Sequence, residues 1–353
     1  MITVQEVLEQ LALTGDFDLE RLPEVKATLT AAALESSTPW YIHGLVGLSA
    51  WIAAVCFIAF LAITEIITSE TGATIAGVIF GVAAVALKRL APRSIFWGQL
   101  ALALSLAGQA LFIFGIGTQL DSVAATAFII VILEIVLIAI YPDVLHRFLS
   151  TLIICGAAVA LCYDWEIQNA IHVLILLLAA ATLFIWENEA YLTTSRWAEL
   201  YRPVGYGVTV ALLALLSLSV TDDTEIERWW LSAVGLLALL LVLEYLILTE
   251  SGLNLRDPVV LWLAGGTLTL IWPAWQTPGI LGAILVLLVG FRCGNRLLLG
   301  LAAIFLAFFV IIFYYNLELT LLAKSLMLMG SGAIILALRY FLLHFWQRRE
   351  VAA

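Results

Sequence analysis

The chain has 353 residues, of which 63% are hydrophobic and only 12% are charged. Soluble domains contain about 45–50% apolar and about 25% charged residues, so this composition excludes a globular protein with one core and predicts that lipid solvates most of the chain. The formal net charge of −10 argues against nucleic acid as a partner, because a phosphate backbone is bound through Lys and Arg.

Residues 1–38 are predicted to form an acidic cytoplasmic segment with short amphipathic helices. Val4, Val7, Leu8 and Leu11 have the i, i+3, i+4, i+7 spacing of such a helix. Because acidic residues outnumber basic ones here, anionic lipid would repel the segment, and docking on protein is favoured over lying on the bilayer. The alternative is a solvated leader with one small helix pair.

Residues 39–345 are predicted to form an all-α polytopic domain. A bilayer core of about 30 Å requires about 20 helical residues at 1.5 Å each, and this length divides the domain into about twelve transmembrane helices with mostly tight connections. The predicted spans lie near residues 42–64, 73–90, 95–117, 122–141, 145–163, 168–186, 203–220, 229–249, 258–275, 278–291, 297–315 and 320–343. In the second span, Gly77 and Gly81 form a G-x-x-x-G pattern that indicates close helix packing.

The positive charges predict one orientation. Fourteen of the sixteen Lys and Arg residues fall before the first span or at alternate ends of the spans, and such loops are cytoplasmic by the positive-inside rule. The exceptions are Arg228, in an acidic loop, and Lys324. Both termini, including the basic tail 346–353, are therefore predicted to be cytoplasmic.

The ninth and tenth predicted spans are short and interrupted. Gly265, Gly266, Pro273 and Pro278 divide this region into two hydrophobic pieces. The pieces cross the membrane in the twelve-span prediction, or form a re-entrant pair beside ten spans. Charge counting does not separate these alternatives, because both return to the cytoplasmic side.

Glu134 and Glu244 are the candidate intramembrane ionisable site. Each lies inside a predicted span, at a similar depth past the midplane. An acid near the middle of the membrane costs about 2.5–3.5 kcal/mol, so each carboxyl group must be protonated, paired or hydrated. One hypothesis is a proton or cation relay. The alternative is a structural carboxyl group hydrogen-bonded to a hydroxyl or to a backbone carbonyl group.

Lys324 lies about 6 Å below the predicted outer surface, four residues into the last span. A long side chain at that depth can extend to water, and Glu65 and Glu318 are acids of similar depth. We therefore expect an ion pair of Lys324 with Glu65 or Glu318 that has a structural role, and the alternative is a substrate site at Lys324.

No motif predicts catalysis, a cofactor or a metal. The four cysteines and four histidines are scattered singly, without metal-ligand spacing, and no G-x-S-x-G, P-loop or dinucleotide fingerprint occurs. Predicted loops never exceed about sixteen residues, which leaves no room for a soluble catalytic domain between spans. The sequence therefore predicts that the protein is not an enzyme.

Two stretches carry a family resemblance: TPWYIHGLVGLSAW, residues 38–51, and the tail from Gly294 to Tyr340. They resemble the uncharacterised bacterial membrane family called domain of unknown function 4401. The resemblance implies an inner-membrane protein encoded beside other envelope proteins, and it implies no activity. The matching positions are Tyr314, Tyr315, Leu317, Thr320, Lys324, Ser325 and Arg339.

The sequence favours a structural or regulatory component of an envelope complex, because few polar residues line a path and the acidic N-terminal segment can dock on a partner. Its partners are then the lipid bilayer and other multipass or envelope proteins, and the oligomeric state is undefined. The alternative is a proton- or ion-coupled secondary transporter that uses the two glutamates and the interrupted pair, since transporters build sites in interrupted helices.

Overall fold

The computed structural model contains helices and turns, and no strand, in the part of the chain that it describes. That part comprises residues 40–63, 69–90, 94–167, 169–220, 226, 228–250, 258–270, 274–275 and 277–316, with nine single positions between 322 and 340. Helices suit an apolar chain in lipid, because they satisfy every backbone donor and acceptor within one segment.

The described residues between 40 and 316 define twelve α-helices. They are α1 (Trp40–Ile63), α2 (Glu70–Leu90), α3 (Ile95–Leu120), α4 (Val123–Ile140), α5 (Val144–Asp164), α6 (Ala170–Glu187), α7 (Glu189–Thr194), α8 (Tyr201–Ser217), α9 (Trp230–Glu250), α10 (Pro258–Thr269), α11 (Gly279–Arg292) and α12 (Arg296–Asn316). A 3-10 turn, Leu218–Val220, extends α8.

Eight of the described helices are long and apolar enough to cross a membrane, judged by length and composition: α2 to α6, α8 with its 3-10 turn, α9 and α12. Their bounds differ from the predicted spans by only a few residues. The prediction of an all-helical membrane protein is thus confirmed, while the count of twelve spans and the orientation stay predictions. The short helix α7 lies in the longest predicted loop and was not expected.

The described chain divides into two compact units, and the first ends at Gln119. In this unit α2 and α3 pack with their backbones almost touching. A Cβ atom added at Gly77 would lie 2.6 Å from the Phe112 backbone nitrogen, and one added at Gly108 would lie 3.0 Å from the backbone nitrogen of Gly81. The close packing expected from the G-x-x-x-G pattern is therefore present, with Gly108 as its counterpart on α3.

The second unit begins at Leu120, and α8 lies at its centre, packed against α5, α6, α11 and α12. Leu212 and Leu216 of α8 are fully buried. Gly207 brings α8 close to α5, since an added Cβ atom would lie 2.7 Å from the Thr151 Cβ atom. Burial of this central helix follows from small residues that allow close approach and large ones that fill the core.

Helices α10 and α11 are shorter than the other membrane helices, with 12 and 14 residues. At 1.5 Å per residue they extend about 18 and 21 Å, less than a bilayer core of about 30 Å. The interruption between them begins after Thr269, so Gly265 and Gly266 lie inside α10 rather than ending it. Glycine can adopt helical dihedrals at a cost of about 1 kcal/mol, whereas proline removes a backbone donor.

Candidate functional site

Helices α4 and α5 form a tight hairpin that positions the candidate site. Only the three residues from Tyr141 to Asp143 connect them, so the helices run antiparallel. The Asp143 carboxylate begins α5 by accepting a hydrogen bond of 3.0 Å from the His146 backbone N–H. Glu134 and Ser150 each lie eight residues from Pro142, and the hairpin therefore places them at the same height on facing helices.

The Glu134 carboxyl group is enclosed in the protein. Glu134 is fully buried, and neither of its carboxyl oxygens has a hydrogen-bond partner among the described residues. The Ser150 hydroxyl lies close enough to interact with the carboxyl group, but the geometry of the two groups does not meet that of a hydrogen bond. Unsatisfied polar atoms are uncommon at buried positions, so each one requires an explanation.

Ser150 interacts instead with an imidazole on its own helix. The Ser150 Oγ atom lies 3.3 Å from His146 Nδ1, and both residues are fully buried. The four-residue spacing puts them on one face of α5. Glu134, Ser150 and His146 thus form a line of a carboxyl group, a hydroxyl group and an imidazole, which we call the α4–α5 polar site.

Tyr141 covers the imidazole of this site. Its ring stacks on His146 with centroids 4.2 Å apart and planes 23° apart. The Tyr141 hydroxyl is buried without a hydrogen-bond partner in the described chain. Burial raises the pKa of Tyr141 above its ordinary value and the Asp143 charge raises it further, so the hydroxyl stays protonated and can only donate or accept as a neutral group.

Arg147 lies at the same end of the α4–α5 hairpin. Its Nε atom donates to the Ile138 carbonyl oxygen at 3.1 Å, and Nη1 donates to the Glu199 carbonyl oxygen at 3.2 Å. Nη1 also lies 3.6 Å from the Glu199 carboxylate, which is 82% exposed while the Arg147 side chain is 8% exposed. The prediction treated Arg147 only as a marker of orientation, but its guanidinium group ties the connection between α7 and α8 to the end of α4.

Glu244, the other predicted intramembrane acid, has different surroundings. It is half-buried in α9, and its Oε1 atom accepts a hydrogen bond from the Thr267 hydroxyl of α10. Thr267 is itself buried. Among the described residues the interactions of Glu134 and Glu244 therefore involve different helices, and each glutamate is treated as a separate site.

The residues of the interrupted pair divide between the two short helices. Gly265 is exposed and Gly266 is half-buried within α10, while Pro278 is buried and directly precedes α11. Pro273 lies outside the described residues, as do Lys324, Glu65 and Glu318. The predicted ion pair of Lys324 thus stays a prediction.

An ion-pair cluster that the sequence did not predict joins three helix ends in the second unit. Arg292 Nη2 lies 2.9 Å from Glu187 Oε2 and 2.6 Å from Glu250 Oε1. Burial raises the pKa of the neighbouring Cys293 thiol to about 11, with the carboxylates of Glu189 and Glu187 adding to the increase, so the thiol is neutral at pH 7. These ion pairs connect the C-terminal ends of α6, α9 and α11.

The α4–α5 polar site could have been predicted from the spacing of its residues, which composition and charge counting do not consider. His146 and Ser150 are four residues apart and therefore share a helical face. Glu134 and Ser150 lie at equal distances in sequence before and after Pro142. Because the connection is short, the two helices must run antiparallel and bring these residues to the same height. Among the described residues no group of three or more His, Cys, Asp or Glu side chains could hold a metal ion.

The fold and these intramembrane groups define an α-helical multipass membrane protein. The chain belongs to the family described as domain of unknown function (DUF4401), whose model matches residues 39–345. This match covers every helix of the described structure, and the resemblance seen in the sequence is confirmed. No curated protein and no solved structure matches the chain.

Proposed function

We propose that the protein is a cation-coupled secondary transporter in which Glu134 binds and releases a cation inside the membrane. One observation carries this proposal: a fully buried carboxyl group has no hydrogen-bond partner among the described residues. An ionisable residue within a membrane helix is a functional-site hypothesis by default, because it is costly to keep there.

A purely structural carboxyl group would be expected to satisfy its oxygens, because an unsatisfied buried polar group costs about 1–3 kcal/mol. Thr267 donates a hydrogen bond to one carboxyl oxygen of Glu244. Ser150 lies near Glu134, yet its interaction of 3.3 Å is with His146. An arrangement that leaves Glu134 neutral in one state and available for a cation in another is consistent with transport and costs stability in the resting state.

Purified full-length protein in proteoliposomes tests this proposal. With a potassium diffusion potential across the vesicle membrane, internal dyes for protons and for sodium would report cation entry. We expect entry above that of empty vesicles in the wild type and its loss in Glu134→Gln. Glu70→Gln is the matched control, since Glu70 is exposed at the start of α2, and it should retain flux. Cation entry that is equal in wild type, Glu134→Gln and empty vesicles would refute the proposal.

We also propose that the basic helix ends face the cytoplasm of a bacterial inner membrane and that α10 and α11 form a re-entrant pair. The short lengths of both helices support the second part. Cysteine introduced at Trp275 in a cysteine-free background should react with an impermeant maleimide from the cytoplasmic side alone if the pair re-enters. Reaction from the periplasmic side would instead show two complete crossings.

A second candidate function, a component of an envelope complex, is supported by the N-terminal charge pattern. Residues 1–38 contain seven acidic and two basic residues, a composition that anionic lipid repels and a basic protein surface attracts. Affinity purification from native membranes at low and high salt should recover a partner that salt removes. Recovery of this chain alone at low salt would contradict the complex. Neither candidate requires catalysis by the protein.

A further inference from the structure

We propose that the cation bound by Glu134 is a proton, and that it reaches Glu134 through Ser150 and His146. This inference rests on the proposed transport function and names its ion and its path. It depends on the geometry of the α4–α5 polar site, in which three groups able to exchange protons lie in sequence with no exposed surface.

The groups placed beside Glu134 suit a proton better than a metal cation. Hard cations take about six or more oxygen ligands, and no group of three or more His, Cys, Asp or Glu side chains among the described residues could hold a metal ion. The hydroxyl that interacts with the carboxyl group is that of Ser150. The next group along the line is the imidazole of His146, a nitrogen donor that hard cations disfavour. A proton needs only one acceptor at a time, and this line supplies one at each step.

Proton release can be written with every atom balanced. When the Glu134 carboxyl group moves within hydrogen-bond distance of Ser150 Oγ, its proton passes to that oxygen while the Ser150 hydroxyl proton passes to His146 Nδ1, which lies 3.3 Å from Oγ. One O–H bond breaks on each oxygen, one O–H bond forms on Ser150, and one N–H bond forms on His146. The imidazolium then loses its Nε2 proton to water. Uptake is the reverse sequence, and it restores the original tautomer.

The charged neighbours of His146 act on its charge in opposite directions. Arg147 is the next residue, and its buried cation disfavours a second positive charge on the imidazole. Asp143 lies at the start of α5 and favours that charge, and Tyr141 stacks on the ring as a neutral group. Glu199 contacts Arg147 from the α7–α8 connection. Because His146 is fully buried, exchange of its proton with water requires a local opening of the α4–α5 polar site.

Labelling with dicyclohexylcarbodiimide tests the identity of the ion without requiring transport. The reagent adds to protonated carboxyl groups in apolar surroundings, and mass spectrometry of the full-length protein would measure the adduct at Glu134. We expect labelling to fall as the pH rises and to be unchanged when sodium replaces choline at constant ionic strength. Glu244 in the same sample provides an internal comparison. Protection of Glu134 by sodium at fixed pH would overturn the inference and leave the proposed transport function standing.

Proton entry into proteoliposomes tests the path. Ser150→Ala and His146→Gln should reduce entry to the level of Glu134→Gln, while Ser150→Thr, which keeps a hydroxyl, should restore a measurable rate. Carbodiimide labelling of Glu134 at low pH in each variant would show that the fold and the carboxyl group remain intact. Wild-type proton entry in both Ser150→Ala and His146→Gln, alongside loss in Glu134→Gln, would overturn the path. Cation entry unaffected by Glu134→Gln would refute the proposed function itself.

Discussion

The α4–α5 and α9–α10 hairpins each carry a glutamate six residues before the end of the first helix, Glu134 before Ile140 and Glu244 before Glu250. Each also presents a hydroxyl residue on the second helix. In the α9–α10 hairpin the Thr267 hydroxyl donates to the carboxyl group. In the α4–α5 hairpin the nearby Ser150 hydroxyl interacts with His146 instead.

The two glutamates therefore differ in their burial and in the partner of the neighbouring hydroxyl. Thr267 donates to one carboxyl oxygen of Glu244, which is half-buried. Ser150 interacts with His146, and Glu134 is fully buried without a hydrogen-bond partner in the described chain. The comparison shows that the hydrogen bonds and the burial of an acid in a membrane helix indicate its role better than its depth in the membrane does.

The largest expected difference between the hairpins follows from a change of charge. Glu134→Lys should lower the stability of the folded protein by about 3 kcal/mol or more, because a cation at a fully buried position has no partner and lies in the same hairpin as Arg147. Glu244→Lys should cost less, since a half-buried long side chain can extend outward. The yield of monodisperse protein after detergent extraction measures the difference, and equal yields would contradict it.

Leucine substitutions should change stability in opposite directions. Glu134→Leu removes a buried polar group without a hydrogen bond and should stabilise the protein by about 1 kcal/mol. Glu244→Leu leaves the Thr267 hydroxyl without its acceptor and should destabilise it by about 1 kcal/mol. Thermal unfolding of purified variants in detergent gives both signs. The same sign for both variants would show that the two carboxyl groups are energetically alike.

Double-mutant cycles should find coupling in one hairpin only. Thr267→Val combined with Glu244→Leu is expected to show an interaction energy of about 0.5–1.5 kcal/mol, because the two side chains share a hydrogen bond. Ser150→Ala combined with Glu134→Leu should show less than about 0.5 kcal/mol. The same thermal unfolding assay measures both cycles, and strong coupling of Ser150 with Glu134 would indicate that a hydrogen bond joins them.

The smallest expected effect concerns the hydroxyl of Tyr141. Tyr141→Phe keeps the ring that stacks on His146 and removes a hydroxyl without a hydrogen bond in the described chain, so stability should change by no more than about 0.5 kcal/mol. Tyr206→Phe is the matched control and should cost about 1 kcal/mol, because the Tyr206 hydroxyl and the Asn295 side chain lie 2.8 to 3.1 Å apart. An equal loss of stability in Tyr141→Phe and Tyr206→Phe would contradict this prediction.

Most of the fold could be predicted from the sequence, because apolar length alone decides which segments can cross a bilayer. The predicted spans for α4 and α5 differ from the structure by one residue at each end. The site was predicted only in part. Glu134 stands out as a charge in an apolar run, whereas His146 and Ser150 lie near a helix start, where polar residues are common.

The sequence by itself determined the class of protein, the apolar helices and the presence of acids inside the membrane, because these depend on local composition and on the length of each helix. Only the tertiary structure decided that Thr267 donates to Glu244, that Ser150 lies beside Glu134 while it interacts with His146, and that Arg292 pairs with acids of two other helices. Hydrogen bonds and burial depend on neighbours brought together by helix packing. In this chain that packing, more than the residue type, distinguishes the two glutamates.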